Sequence, residues 1–203
     1  MKIKHLLLTV FVLGFIATSC SESKEDGVYA NWRERNENFV DSIANVYDSK
    51  QDPTLKRVED TRNRGFYVYY KVIKESTLPV EERIKPFLTS IVNVYYRGLL
   101  IDEEVIGKLP VENRYLYKAY KNLPKFDGNF DNEDPDVDID QVTEFTVNGL
   151  VSGFTEVLQH MNVGDRWEIY IPSRLGYGNN NNGAIPGYST LIFDVTLQEI
   201  VKQ

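Results

Sequence analysis

The chain holds one cysteine, Cys20, and two histidines, His5 and His160, in 203 residues. A lone cysteine has no partner for an intrachain disulfide. Basic residues are outnumbered, with 23 Lys and Arg against 30 Asp and Glu, for a formal charge of −7. A surface that displaces counterions from nucleic acid needs clustered Lys and Arg, so no nucleic-acid role is expected. The apolar run from Leu6 to Ile16 falls short of the roughly 20 residues that span a bilayer. What is present is ordinary: 42% hydrophobic and 26% charged residues, enough for one sizeable globular domain plus extras.

Lys2 and Lys4, the run Leu6 to Ile16 and Ala17-Thr18-Ser19-Cys20 read as a targeting segment. The cysteine resembles the lipobox cysteine of bacterial lipoproteins. That resemblance implies a signal peptide over 1–19 and a lipid on Cys20. The product would be a soluble domain anchored to, but not spanning, the outer membrane of a bacterial envelope, on its periplasmic or surface side. An ordinary secretory signal beside a cysteine, or a buried core cysteine, are the alternatives. Cleavage before Cys20 leaves His160 as the sole histidine and moves the charge from −7 to −9, since Lys2 and Lys4 leave together. Zinc sites of His and Cys, cysteine nucleophiles and thiol redox motifs are then excluded, and the acidic surface weakens attraction to anionic lipid. Residues 20–28 form a tether. Lys24-Glu25-Asp26 resembles the acidic signal that sends some Bacteroidetes-type lipoproteins to the cell surface, with a solvated linker as the plain alternative.

Over 29–62 a helical extension is predicted, because Trp32, Phe39, Ile43, Val46 and Tyr47 share one helical face. The helix packs on its own domain or pairs with a second copy. Pro53 and Gly65 bracket a polar connector. Gly65–Ile73 and Thr89–Leu100 read as strands. In Ile101–Lys125, Pro110 opens a helix with Tyr115, Leu116, Tyr120 and Leu123 on its apolar side. Asp127–Asp140 carries seven carboxylates, but neither Asp131 nor Asp134 as first ligand puts a glycine sixth, so a hydrated loop passing into a strand is preferred to a calcium site. Phe145–Val151 reads as a strand, and Phe154, Val157, Leu158 and Met161 as a helix stripe stopped at Gly164. Trp167, Ile169 and Ile171 alternate in a strand that Pro172 ends. A turn-rich loop, 176–187, precedes the alternating Leu191, Phe193, Val195 and Leu197. His160, at the helix end, reads as a partly exposed residue favoured by the helix dipole rather than as a catalytic base.

The pieces Leu150-Val151-Ser152-Gly153-Phe154, Met161-Asn162-Val163-Gly164-Asp165, Ile171-Pro172-Ser173, Tyr177-Gly178, Ile185-Pro186-Gly187 and Thr190-Leu-Ile-Phe-Asp-Val195, in this order, resemble the FKBP-type peptidyl-prolyl cis/trans isomerases. Val92-Asn-Val-Tyr-Tyr-Arg-Gly98 is similar to the family's Val-x-Tyr-x-Gly strand. Phe126-Asp127 is similar to its Phe-Asp pair, set unusually far downstream by the insert at about 101–125. The resemblance implies an α+β fold over 63–203, an antiparallel sheet of five to six strands curled over the Phe154–Met161 helix. It implies an apolar cup lined by Tyr96, Phe126, Leu150, Val151, Phe154, Ile185 and Phe193. Tyr96, Asp127 and Tyr177 would act on the substrate, with the Val151 N–H and the Tyr177 hydroxyl holding its carbonyls.

The implied activity is rotation of X-Pro bonds in proline-containing polypeptides during folding of exported or envelope proteins, without metal or cofactor. Phe154 stands where the family usually has Trp, and Thr143 where it has a further wall aromatic, which implies a wider cup and low activity. The rival is a binding module that keeps the cup as a peptide site; a structural subunit of a lipoprotein assembly is a third reading. Helical extensions dimerise some periplasmic members of the family, which is the precedent for pairing through the N-terminal helix.

Overall fold

The computed structural model describes residues 27–108 and 123–203. The leader, Cys20, Lys24-Glu25-Asp26, and Pro110, Tyr115, Leu116 and Tyr120 of the insert lie outside those residues. Gly27–Ala30 is a turn closed by Ala30 N–H on Gly27 O at 3.0 Å, and the following unit runs from Asn31 to Gln203. In chain order its elements are α1 (Trp32–Asp48), β1 (Leu55–Glu59), β2 (Tyr67–Lys74), β3 (Ile91–Leu99), α2 (Glu103–Gly107), β4 (Lys125–Gly128), β5 (Thr143–Thr146), α3 (Ser152–Leu158), β6 (Arg166–Ile171) and β7 (Leu191–Lys202).

All strand pairs are antiparallel, in the order β1-β2-β6-β7-β3-β4. β5 also pairs with β3, along Ile91–Val94, while β4 takes Arg97–Leu99. Seven segments therefore fill six places in an α+β sheet, which accommodates the expected five or six. β1 falls in the stretch read as helical extension and connector. Leu55 is its one buried residue, so no alternation betrayed it, and its pairing with β2 makes it an edge strand.

Strand alternation puts Val68 and Ile171 on one face of the sheet and Tyr69 and Tyr170 on the other. α3 takes the first face, where a Cβ on Gly153 would stand 2.6 Å from Ile171 Cγ2 and 3.0 Å from Val68 Cγ2. α1 takes the second, with Phe39 edge-on to Tyr170 and Tyr47 to Tyr69 at 6.2 and 6.0 Å between ring centres. Trp32, Ile43 and Val46 join the common core. The apolar stripe of α1 is thus spent on its own sheet, the first of its two expected uses.

Three boundaries differ from expectation for local reasons. β5 stops at Thr146 because Val147 N–H bonds Ser90 O at 3.0 Å and the Thr155 hydroxyl bonds Val147 O at 2.8 Å, which curls Val147–Gly149 into a 3-10 turn. α3 ends at Leu158, since His160 and Met161 N–H groups bond three residues back, to Val157 and Leu158. Met161 is fully buried from that turn, and Gly164, at φ +90°, directs the chain into β6. Val137 and Ile139 do not begin a strand and are 69% and 72% exposed.

On the α1 face one row of charged residues crosses four strands in register: Lys71, Glu168, Asp194 and Arg97. All are buried. Asp194 accepts from Arg166 Nε and Nη2, both at 2.8 Å, and pairs with Arg97 Nη2 at 3.0 Å. Lys71 pairs with Asp52, and the Tyr170 hydroxyl donates to Glu168. Arg97 and Arg166 also hold the start of the acidic loop. Arg97 donates to Asn132 O at 3.0 Å, Arg166 to Glu133 O at 2.7 Å and to Asp134, and both guanidinium groups lie over the buried Phe130 ring. The loop start is thus docked through its backbone, while residues 131–134 remain exposed to solvent.

Candidate active site: an aromatic cup beside a tyrosine–carboxylate pair

Between α3 and the curled sheet, rings from five elements meet. Phe154, on the first turn of α3, stacks on Phe193 of β7 with centres 4.7 Å apart and planes 20° from parallel. Phe126 of β4 meets Phe193 edge-on at 5.7 Å, and Phe145 of β5 meets Phe154 at 6.4 Å. Tyr96 of β3 packs edge-on to Phe145 at 5.2 Å. Such edge and offset contacts suit the ring quadrupoles. Gly98, in register with Phe193 and Asp127, leaves room for this. A Cβ there would stand 2.4 and 2.6 Å from Phe126 ring carbons and 2.8 Å from Phe193 Cε1.

At the edge of the rings the Tyr96 hydroxyl donates to Asp127 Oδ2 at 2.8 Å, and Asp127 Oδ1 accepts from Gly128 N–H at 2.8 Å. Burial above all, then the hydrogen bond to the Asp127 carboxylate, push the Tyr96 pKa well above the usual tyrosine range, and Tyr177 is near enough to add to that push. Tyr96 is therefore a fixed, protonated donor at neutral pH. Tyr177 is half-buried in the 176–190 loop, where Gly178 N–H bonds Ser173 O at 2.8 Å. In the same loop Ile185 is buried and closes a small bridge with Asn182.

Leu150 and Val151 are half-buried at the entry to α3 and pack against the core. Val151 N–H donates to no other described residue, while its carbonyl accepts from Thr155 N–H at 3.0 Å. The entry is held from outside. Asp60 accepts from the Ser152 hydroxyl and from Asn63 and Arg62 N–H at 2.7 and 2.9 Å, and Glu156 accepts from Thr61 N–H at 3.1 Å. Burial works to raise the Asp60 pKa, but these hydrogen bonds outweigh it and the net shift is downward.

Tyr96, Asp127, Phe126, Phe154 and Phe193 thus form one contiguous group. Leu150, Val151, Tyr177 and Ile185 sit on the two loops beside it, and Cys20 lies outside the described residues. Two members were missed. Phe145 bridges Tyr96 and Phe154, and its place in an alternating strand was the available signal. Asn129 accepts Tyr96 N–H at 2.9 Å and donates to Val94 O and Thr143 Oγ1, both at 3.0 Å. No local pattern announces that role. The Thr143 hydroxyl is taken up by this bond and supplies no aromatic wall. A separate cleft of about 340 Å³, lined by Lys56, Arg83, His160 and Trp167 among others, lies past the C-terminal end of α3 and shares no residue with the cup. His160 is exposed there, 3.2 Å from Glu156.

A curled antiparallel sheet over a short helix, with aromatic side chains gathered between them, defines the class of domain. Residues 111–198 match the sequence profile of the FKBP-type peptidyl-prolyl cis-trans isomerases. The FK506-binding protein of Neisseria meningitidis serogroup B is 31% identical over 112 residues, 52% of this chain and 98% of that protein. The FKBP-type peptidyl-prolyl cis-trans isomerase FkpA of Aeromonas hydrophila is 33% identical over 180 residues, 80% of this chain and 57% of that one. The chain belongs to the FKBP-type family. It spans 57% of the Aeromonas relative and 44% of a 22 kDa relative from Escherichia coli. A crystal structure of a peptidyl-prolyl cis-trans isomerase from Pseudomonas syringae pv. tomato shares the fold, with a TM-score of 0.57 and 22% identity over 88% of this chain and 98% of that one.

Proposed function

We propose that this chain is a peptidyl-prolyl cis/trans isomerase acting on proline-containing polypeptides, by non-covalent catalysis in the cup. The observation that carries the reading is the contiguous ring cluster of Phe126, Phe145, Phe154 and Phe193 with the Tyr96–Asp127 pair at its edge. Rotation about an X-Pro bond is opposed by amide resonance, with a barrier of about 18–20 kcal/mol. A twisted amide has lost that resonance and tolerates an apolar surrounding better than the planar form, so the cup favours it. In this mechanism Val151 N–H and the Tyr177 hydroxyl hold substrate carbonyls, and Asp127, oriented by Tyr96, presents its carboxylate near the reacting amide. No proton is moved and no covalent bond forms.

The same reading makes the protein an envelope lipoprotein held through Cys20, supported by the order Lys2, Lys4, Leu6–Ile16, Cys20. No helix among the described residues is long and apolar enough to cross a membrane. Proline-peptide exchange followed by NMR tests the activity. The wild-type chain should accelerate cis/trans exchange, and a Tyr177→Phe, Asp127→Ala double variant should lose about tenfold or more of that acceleration, the scale of two orienting hydrogen bonds. Peptide binding without acceleration would leave a binding module in its place.

A further inference from the structure

The N-terminal helix reaches the cup by an unexpected route. Trp32 and Asn36, both buried on the first turns of α1, face the second stem of the 176–190 loop. Trp32 Nε1–H donates to Ser189 Oγ at 2.9 Å, and the Ser189 hydroxyl donates onward to Pro186 O at 2.7 Å, one residue from Ile185. Asn36 Oδ1 accepts Thr190 N–H at 2.7 Å, while its Nδ2 donates to Trp32 O at 2.8 Å and ties the two anchors together. Just before these anchored residues Tyr188 has φ +65°, a conformation that a non-glycine residue adopts only when its surroundings hold it there. They do so from both sides. The Arg33 guanidinium lies 4.8 Å from the Tyr188 ring centre, and Tyr188 N–H donates to Gly178 O at 2.7 Å, beside Tyr177.

One chain of contacts thus runs from α1 to Pro186 and Gly178, the chain neighbours of the two loop residues of the site, Ile185 and Tyr177. Loops that carry binding groups work only when a rigid element fixes them. Helix–loop hydrogen bonds between residues more than 150 positions apart in sequence serve no local turn. We infer that α1 is a built-in strut of the active site, with Trp32 and Asn36 as positioning residues that set Ile185 and the Tyr177 hydroxyl for the bound peptide. The inference rests on the isomerase reading for its kinetic consequence, though not for its geometric one.

The test uses the full chain and three single variants. Trp32→Phe keeps an apolar ring and removes the N–H; Ser189→Ala removes its acceptor; Ile43→Val trims α1 against the sheet, away from the loop. kcat/KM for an X-Pro peptide, peptide affinity, the Ile185 δ-methyl resonance and the urea midpoint are read for each. Trp32→Phe and Ser189→Ala should each lower kcat/KM about fivefold, the scale of one hydrogen bond, and shift the Ile185 methyl. The Trp32→Phe, Ser189→Ala double variant should lose no more than Ser189→Ala alone, because that substitution already removes the bond from Trp32 along with the bond to Pro186 O. Ile43→Val should lower the midpoint and leave kcat/KM and the methyl unmoved. An unmoved methyl and unchanged kcat/KM in Trp32→Phe, or equal kinetic losses in Ile43→Val, would overturn the strut. A wild-type chain that binds the peptide without catalysis would overturn the isomerase reading alone, and the methyl shift and peptide affinity would still decide for or against the strut.

Discussion

Gly98 is the residue on which the shape of the cup most depends. It is flanked by the Phe126 and Phe193 rings at distances no Cβ tolerates, so any side chain there must move both. Gly98→Ala should therefore lower peptide isomerisation about tenfold or more, since displacing a binding surface by a fraction of an ångström misaligns the substrate. The accompanying loss of stability should be only about 1–3 kcal/mol, typical of overpacking. Exchange NMR and urea unfolding on the same sample separate the two effects. Full activity in a folded Gly98→Ala chain would show that these rings do not shape the site. Phe154 works in the opposite sense. Its ring stacks on Phe193 despite being smaller than an indole, while the Thr143 hydroxyl is turned to Asn129.

Among the elements, β6 and β7 do double duty: one face supplies Phe193 to the cup and the other carries buried charge. Glu168 is the costly member of that row. Burial first, and Asp194 next to it, raise its pKa well above the usual carboxylate value, with Lys71, Arg97 and Arg166 pulling the other way. The unfolded chain gives up this proton near pH 4.3, the folded chain only at higher pH. Stability from this group is therefore present in acid and falls as pH rises through that window. Glu168→Gln keeps an acceptor for the Tyr170 hydroxyl and removes the titration. Urea unfolding should find the variant more stable than wild type at pH 7 and the difference gone near pH 4; a larger gap at pH 4 would reverse the assignment.

The charged row also explains what the sequence could and could not reveal about elements. Strands β2, β3, β6 and β7 were legible because alternation of Tyr, Val, Ile and Phe survives on the face they share with α3. Arg97, Arg166, Glu168 and Asp194 occupy the other face as outward polar residues would, and nothing local says that α1 and Phe130 bury them. β1 was illegible for a related reason: an edge strand with one buried side chain has almost no pattern to read. The ring cluster, Phe145 apart, was legible through family motifs spread over a hundred residues, whereas Asn129 and the Trp32–Ser189 bond depend on tertiary proximity alone.

At the scale of the whole molecule, a single sheet separates two jobs. Its α3 face, with the Asp60–Ser152 and Glu156–Thr61 contacts bracing the helix entry, holds the cup. Its α1 face ties the N-terminal helix, the acidic loop and the stem of the 176–190 loop into the same unit. An apolar cup that needs no proton transfer leaves its rate independent of any group titrating near neutrality. Tyr96, donor to Asp127, is held protonated throughout that range. The most direct measurement is the rate of cis/trans exchange in a short X-Pro peptide from pH 6 to 8, with wild-type chain and with Gly98→Ala. The account predicts acceleration by the wild type that is nearly flat across this range and largely absent in the variant. A bell-shaped profile, or no acceleration by the wild type at any pH, would contradict it.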